Sequence, residues 1–257
     1  VERIVAGGAA GRNGGFLLAG LALSHHQAVA KLGRERAVKL YHATLEEIER
    51  IKTASPEAMR QVGSLRIAFD KEELEDCQSQ YTAMREDGLE VGHYTGEEGQ
   101  GLVFPYDAAF QPLERCRTLA KQVLKTGATL FENTLALDIQ GTTVITPNGR
   151  IKAKHIVVAV DGKLEHLLPE LKSKVKTARL QMLATAPTTE VSISRPVYHR
   201  WGYEYWQQLK NKSVALGGFR DHFKEQEWTN ENTPTNEIQA LLEGFLRNTL
   251  KVHADIT

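Results

Sequence analysis

Apolar residues recur at three- and four-residue steps in several stretches of the chain, and this period predicts amphipathic helices. The longest stretch covers residues 21–54, where Val38, Tyr41 and Ile48 share one face and charged residues occupy the others. Gly33 interrupts it and costs about 1 kcal/mol relative to alanine within a helix. The sequence therefore predicts helical structure over this stretch, with a weak point at Gly33.

Three further helices follow from local signals. Residues 71–87 form a charged segment that ends at a glycine, as expected of a surface helix. Pro112 opens the next helix, and Gly127 lies where a C-terminal cap belongs. Thr233 caps the last one, with Pro234 at its first position. The predicted buried stripe of this last helix consists of Ile238, Leu241, Leu242, Phe245 and Leu246.

Other stretches carry strand patterns. Residues 61–69 alternate like a half-buried strand, and residues 129–134 are also predicted as a strand. Residues 142–146 and 150–153 flank a Pro-Asn-Gly turn and predict a hairpin. Residues 156–160 are a continuous apolar run, which is typical of a strand buried on both faces of a parallel sheet.

The last third of the chain changes character. Residues 179–185 and 213–221 are predicted strands, and an aromatic-rich segment lies between them. Its apolar–polar alternation favours an antiparallel sheet. Successive side chains of a strand point to opposite faces, so Tyr203 and Tyr205 share one face and Trp206 takes the other. Aromatic residues in strands most often pack in the core, and Trp206 is assigned there.

Composition places the chain among ordinary globular proteins. It has 257 residues, of which 41% are hydrophobic and 25% charged, enough for one large domain or two. The 32 basic and 32 acidic residues cancel, so no global field favours nucleic acid or a membrane surface. No apolar run approaches the roughly 20 residues of a membrane span. Cys77 and Cys116 have no metal-ligand spacing and favour a reduced, cytoplasmic protein.

Candidate chemistry is concentrated near the start, where residues 7–15 contain five glycines together with Arg12 and Asn13. Glycine allows positive φ angles and close approach of the backbone to a ligand. A glycine-rich turn that feeds a helix directs free N–H groups and the positive end of the helix dipole toward an anion. A flexible surface loop is the alternative, because glycines without fixed spacing are a weak motif.

Val1-Glu2 followed by Gly8-Ala9-Ala10-Gly11-Arg12-Asn13-Gly14-Gly15 resembles a segment of the FAD-dependent amine and amino-acid oxidases of the D-amino-acid oxidase / glycine oxidase superfamily. In that family a strand ends in an acid that binds the adenosine ribose, and a Gly-Ala-Ser-Gly-Arg-Asn-Gly-Gly turn then wraps the pyrophosphate and flavin. Glu2 stands at the place of the acid. Ala10 replaces the usual serine, which removes one possible hydroxyl hydrogen bond and leaves the backbone contacts.

The resemblance implies a mixed α/β (α+β) fold in which a Rossmann-like FAD-binding domain is interrupted by an antiparallel-sheet substrate domain. The FAD-binding domain is expected over residues 1–55 and 102–176, and the discontinuous substrate-binding domain over 56–101 and 177–257. Asp107, followed by alanine and shortly by a proline, resembles the point where the family's chain returns to the flavin domain.

The family begins with a strand and a Gly-x-Gly-x-x-Gly turn, a motif that this sequence lacks. We therefore expect roughly the first 30 residues of such a unit to be absent. A C-terminal flavin-contacting segment is expected to be absent as well.

The resemblance implies FAD as cofactor and three groups of residues that contact it. No metal is predicted, because His25 and His26 point about 100° apart on a helix and have no third ligand spaced with them. The first group is Glu2, Arg3, Ala9, Ala10, Gly11, Arg12, Asn13, Gly14, Gly15 and Phe16. The second, near the adenine, is Leu135 and Ala136, and the third, near the flavin phosphates, is Ala159, Val160, Asp161 and Gly162.

The implied reaction is oxidation of the C–N bond of an amino acid or amine by hydride transfer to FAD, after which the imine hydrolyses and oxygen or another acceptor takes the electrons. A carboxylate on the substrate would require an arginine, and Arg220 at a predicted strand end is the candidate. A surface ion pair of Arg220 with Asp221 or a nearby acid is the alternative. Tyr203 and Tyr205 are expected to line an apolar pocket.

Two other readings remain open from the sequence. The chain could be a dehydrogenase subunit of a larger amine-oxidising complex, which would share the fold and differ in its electron acceptor. It could also be a non-catalytic relative of the fold, or a fragment too incomplete to bind FAD. The amine and the oligomeric state do not follow from the sequence.

Overall fold

The structure is a computed structural model that describes residues 1, 3–172 and 174–257 and divides into two compact units. Unit 1 consists of Val1–Asn13, Pro112–Leu180 and Phe223–Thr233. Unit 2 consists of Gly14–Gln111, Gln181–His222 and Pro234–Thr257. These boundaries differ from the predicted domain ranges, because residues 14–55 and 102–111 lie in unit 2 and residues 177–180 and 223–233 lie in unit 1. The assignment of cofactor and substrate to the two predicted domains stays a prediction.

Helices and strands alternate along the described chain. The α-helices are α1 (Ala9–Arg12), α2 (His25–Leu32), α3 (Arg34–Ala54), α4 (Lys71–Glu86), α5 (Pro112–Lys125), α6 (Leu164–Leu167) and α7 (Asn236–Asn248). The strands are β1 (Phe16–Leu17), β2 (Met59–Arg60), β3 (Ser64–Ile67), β4 (Gly92–Gly96), β5 (Gly99–Phe104), β6 (Ala108–Phe110), β7 (Asp138–Gln140), β8 (Thr143–Thr146), β9 (Gly149–Lys152), β10 (Met182–Ala184), β11 (Val197–His199), β12 (Glu204–Gln208) and β13 (Val214–Gly218). Short 3₁₀ helices occupy Pro56–Ala58, Asp161–Lys163, Pro169–Leu171, Arg200–Gly202 and Arg220–Phe223.

Unit 1 contains an antiparallel sheet of order β7-β8-β9 together with α1, α5 and α6. The predicted hairpin is confirmed, since Thr146 pairs with Gly149 across the turn. The predicted helix from Pro112 is also confirmed, and Gly127 follows it with a φ of 87°. α1 packs against α5.

Two strands predicted for unit 1 are not formed. Residues 129–134 make single backbone bonds to the N-terminal segment, from Asn133 N–H to the oxygen of Arg3 (2.6 Å) and from Thr134 N–H to the oxygen of Val1 (2.8 Å), without building a ladder. Residues 156–160 have no strand paired with them in the described parts of the chain, and Val157 is 90% exposed. An apolar run becomes a buried strand only where neighbouring strands bond to its backbone.

Unit 2 is built on a seven-stranded sheet of order β10-β13-β12-β11-β3-β5-β4. All neighbours are antiparallel except β3 and β11. The antiparallel sheet predicted for the last third is therefore confirmed. β3 is shorter than predicted because Gly63 lies just before it with a φ of 77°. Residues 89–101, whose apolar residues follow no regular period, contain β4 and the start of β5.

Helix α7 packs against β10 and β13 with Ile238, Leu242 and Leu246 fully buried, as the stripe predicts. It begins at Asn236 with Thr235 as its N-cap, two residues later than predicted. The amide oxygen of Gln181 accepts a hydrogen bond from the Thr235 N–H (2.9 Å), and this contact fixes the start of the helix beyond Pro234.

The helical stretch near the start of unit 2 is divided into α2 and α3 at Gly33, which has a φ of 82°. Asp70 caps α4 by accepting a hydrogen bond from the Glu73 N–H (2.9 Å). One face of α4, with Cys77 and Met84, is buried, so α4 is less exposed than its charge suggested. These helices close a core cluster made of Tyr41, Cys77, Met84, Leu89, Val91, Leu102 and Phe104.

A second sheet of unit 2, of order β1-β6-β2, carries the chain away from the glycine-rich segment. β6 pairs with β1 on one side and β2 on the other, both antiparallel.

No helix in the described residues is long and apolar enough to cross a membrane.

Candidate functional site

The first part of the glycine-rich segment lies in unit 1 and forms the single turn of α1. Gly8 is its N-cap, and its first turn carries no acidic residue that would repel an anion. A Cβ at Gly8 would meet nothing within 4 Å, so its backbone is open to close approach. The side-chain amide of Asn13 donates to the oxygens of Ala10 (3.1 Å) and Ala9 (3.4 Å), and so satisfies the last carbonyls of the turn.

Gly14 and Gly15 belong to unit 2, where packing explains both glycines. A Cβ at Gly14 would lie 2.9 Å from the ring of Tyr205, and one at Gly15 would overlap the carbonyl oxygen of Phe110. Gly15 also has a φ of 70°. The side-chain amide of Gln207 donates to the oxygens of Gly14 (2.6 Å) and Gly15 (2.8 Å). A Cβ at either position would therefore meet the protein itself, and contact of these two glycines with the flavin stays a prediction.

The remaining residues predicted to contact FAD are spread over unit 1. Glu2 lies outside the described residues. The backbone of Arg3 bonds to Asn133, which precedes the half-exposed pair Leu135 and Ala136. The exposed residues Ala159, Val160 and Asp161 are followed by Gly162, whose oxygen accepts a hydrogen bond from the Thr177 hydroxyl (2.9 Å).

Of the two tyrosines predicted for a pocket, only Tyr205 lies in a strand. Its ring packs edge-on to Phe16, with centroids 6.0 Å apart, and burial raises the pKa of its phenol. Tyr203 precedes β12, is 41% exposed and lies under the guanidinium of Arg200. The strand alternation therefore does not reach Tyr203. Trp206 is buried, which confirms its place in the core.

Arg220 lies in the 3₁₀ turn that follows β13. Asp221, the ion-pair partner considered for it, is bound by Arg200 through two hydrogen bonds of 2.6 and 2.9 Å. Arg200 also holds the buried carboxylate of Glu204, through Nε at 2.9 Å. Asp221, the acid next to Arg220 in sequence, thus belongs to the Arg200 network.

Unit 2 encloses a cavity of about 210 Å³ that the sequence did not predict. Its walls come from α2, α3, α4, β3, β5, β11 and the turns beside them. The side chains that define its chemistry are Tyr41, Arg66, Phe104, Asp107, Tyr198 and Trp201. They come from segments far apart in the chain, so no motif joins them.

Arg66 is neutralised inside this cavity by neighbours on α4. Its Nη2 lies 2.8 Å from the carboxylate of Asp76 and 3.7 Å from that of Glu73. Its Nη1 donates to the side-chain oxygen of Gln80 (2.5 Å). The guanidinium also lies 5.4 Å from the centroid of the Trp201 ring, within cation–π range.

Asp107 is only 2% exposed, and its carboxylate is held by neutral donors. One oxygen accepts from the Ala19 N–H (2.8 Å) and the other from the Ser64 hydroxyl (2.6 Å). No lysine, arginine or histidine of the described chain forms an ion pair with it. Burial raises the pKa of Asp107 from 3.8 to about 6, and the two hydrogen bonds limit the rise. Tyr41 and Tyr198 lie close enough for its charge to raise their pKa further, after burial.

Gly15→Ala is expected to destabilise the protein more than Gly33→Ala. Both positions have positive φ, which strains alanine by about 1–3 kcal/mol. Only at Gly15 would the new Cβ overlap a carbonyl, whereas nothing lies within 4 Å of one at Gly33. The overlap should add about 1–3 kcal/mol in urea unfolding. Equal losses for the two variants would contradict the packing described for Gly15.

Asp107→Asn is expected to change how stability depends on pH. The folded state binds the Asp107 proton up to a higher pH than the unfolded state, so the contribution of Asp107 to stability falls as pH rises from about 4 to about 6. Asparagine keeps an acceptor for Ala19 and does not titrate. The variant should gain about 3 kcal/mol on the wild type between about pH 4 and pH 7. Urea unfolding at several pH values checks this, and a constant difference would refute it.

Comparison with known proteins identifies the family. The family model described as FAD dependent oxidoreductase matches residues 1–257. No curated protein sequence matches the chain. Glycine oxidase from Bacillus cereus ATCC 14579 is similar in structure, with a TM-score of 0.73 and 16% identity over 100% of this chain and 72% of that one.

Two further solved structures share the fold. L-proline dehydrogenase from P. horikoshii has a TM-score of 0.64 and 19% identity, over 79% of this chain and 60% of that chain. Dithionite-reduced L-alpha-glycerophosphate oxidase from Mycoplasma pneumoniae, with FAD bound, has a TM-score of 0.69 and 14% identity, over 96% of this chain and 70% of that one. This chain therefore spans about 60–72% of the length of these relatives.

Identities this low show a shared fold, and they agree with the mixed α/β class predicted from the sequence. The family match covers every residue and confirms the resemblance of the glycine-rich segment. FAD is the cofactor of that family. The chain belongs to the family of FAD-dependent oxidoreductases.

Proposed function

We propose that this protein catalyses the FAD-dependent oxidation of the C–N bond of an amine or amino acid. The observation that carries the proposal is the family match over residues 1–257, which includes the segment Gly8–Gly15. Glycine oxidase, proline dehydrogenase and an amino-acid deaminase are among the proteins that share its fold. When bound, FAD would supply a hydride acceptor for the carbon next to nitrogen, and the imine so formed would be hydrolysed by water.

The residues of unit 1 fit the binding of a pyrophosphate. The short helix α1 is open beside its N-cap Gly8 and has no acidic residue in its first turn. Arg12 supplies a cation at the other end of the helix. Backbone N–H groups at the start of such a turn stabilise phosphate oxygens. Glu2 would accept hydrogen bonds from the ribose hydroxyls. Leu135 and Ala136 would lie near the adenine and the turn 159–162 near the flavin phosphates, as the resemblance implies.

The residues of unit 2 would bind the substrate. Tyr205, held against Phe16 and Gly14, offers an apolar surface, and burial in such surroundings favours the neutral amine that gives up hydride more readily. Arg220 would hold a carboxylate, since a guanidinium binds the two oxygens of a carboxylate side by side. Tyr203 would contact the substrate from the surface of the sheet.

Reconstitution tests the proposal. The full chain is incubated with FAD, freed of excess cofactor and assayed with a panel of amines and amino acids for the carbonyl product. We expect retained FAD and product formation. Glu2→Gln should weaken FAD binding about tenfold, because it removes the charge-assisted part of the ribose contact.

The same experiment separates the alternatives. Product that forms with an artificial electron acceptor but not with oxygen would indicate the dehydrogenase subunit of a larger complex. Protein that retains no FAD and forms no product would contradict the proposal and favour a non-catalytic relative.

Arg220→Lys is expected to affect substrates that carry a carboxylate. Lysine keeps the positive charge but loses the paired geometry of the guanidinium, so KM for an amino acid should rise about tenfold. KM for an uncharged amine of similar size should change little. Equal changes for both substrates would exclude Arg220 as the carboxylate-binding residue.

A further inference from the structure

The cavity of unit 2 contains a buried anion with no cation bound to it. Asp107 is only 2% exposed to solvent, yet the groups that donate hydrogen bonds to its carboxylate are a backbone amide and a hydroxyl, both neutral. Buried carboxylates in proteins are normally paired with a cation or coordinate a metal, because an isolated charge is costly to desolvate. Its position on the cavity wall leaves a place for that counter-charge in the cavity itself.

The other charged groups that line the cavity do not supply the missing cation. Arg66 is paired with Asp76 and Gln80. His25 is hydrogen-bonded to Asp87 (2.7 Å), which also binds Arg34. Asp107 therefore leaves the cavity with an excess negative charge.

The remaining walls are aromatic. Tyr41, Phe104, Tyr198 and Trp201 line the cavity, and Tyr41 is only 5% exposed. The hydroxyls of Tyr41 and Tyr198 form no hydrogen bond within the described residues. Aromatic faces around a carboxylate are the arrangement that binds organic ammonium ions, through cation–π attraction and charge pairing together.

The volume of the cavity favours an organic ion over a bare metal. A cavity of about 150 Å³ holds benzene, and this one has about 210 Å³. A metal ion would require several oxygen ligands, and no group of three or more potential metal ligands occurs in the described residues.

We propose that unit 2 binds a small organic ammonium ion in this cavity, with Asp107 as its counter-ion and the four aromatic rings as its walls. The inference stands apart from the proposed oxidation. A carboxylate stabilises the charged form of an amine, whereas hydride transfer uses the neutral form, so the cavity recognises an amine without being the place of its oxidation.

Binding of n-butylammonium to the full chain tests the proposal, by isothermal titration calorimetry with and without FAD. 1-Butanol has nearly the same shape without the charge, and potassium chloride has the charge without the alkyl chain. We expect saturable binding of n-butylammonium alone. Asp107→Asn should weaken it at least about tenfold, because the amide removes the buried charge. Asp70→Asn, the same exchange at an exposed helix cap, should leave binding unchanged.

A second variant keeps the test decisive if Asp107→Asn fails to fold. Ala22 is exposed at the cavity wall, so Ala22→Phe should fill the cavity while it leaves the carboxylate in place. This variant should also abolish binding. Equal affinity for n-butylammonium and 1-butanol, equal affinity of wild type and Asp107→Asn, or no saturable binding would overturn the proposal. None of these results depends on whether the protein oxidises amines.

Discussion

The buried carboxylate of Asp107 is the contact on which the arrangement of unit 2 depends. It joins the segment after β1, through the Ala19 N–H, to the first residue of β3, through the Ser64 hydroxyl. The backbone oxygen of the same residue accepts a hydrogen bond from Gly63 at 3.0 Å. One residue thus fixes the path of the chain as it leaves the glycine-rich segment and as it enters the large sheet. Burial of this carboxylate is unfavourable, and it raises the pKa of Asp107 to about 6.

Gln207 makes the complementary connection from the sheet. Its amide holds the carbonyls of Gly14 and Gly15, while the ring of Tyr205 fills the space beside Gly14. The two glycines that most resemble a flavin-binding motif therefore also serve the packing of unit 2. Gly14 and Gly15 belong both to the motif and to the packing of unit 2. Loss of flavin from a variant of either glycine would therefore not by itself prove contact with the flavin.

Local signals predicted much of the fold, because they act within a few residues. The break at Gly33, the cap at Gly127 and the hairpin of β8 and β9 were all evident from the sequence. The strands expected at 129–134 and 156–160 failed, because a strand depends on partners that its own residues do not specify. The cavity could not be predicted either, since Arg66, Asp107 and Tyr198 come together only through the sheet. The family was predicted from one segment of eight residues, Gly8–Gly15. The substrate was not, because the residues proposed to contact it share no motif spacing.

The proposed oxidation requires that the protein accept electrons from an amine through FAD. The most direct measurement mixes the FAD-reconstituted protein with amines and amino acids in the absence of oxygen and follows the visible absorption of the bound flavin. We expect at least one of them to bleach the flavin at a rate that rises and saturates with its concentration, and an added electron acceptor to restore the colour. Bound flavin that stays oxidised with every amine and amino acid tried would contradict it.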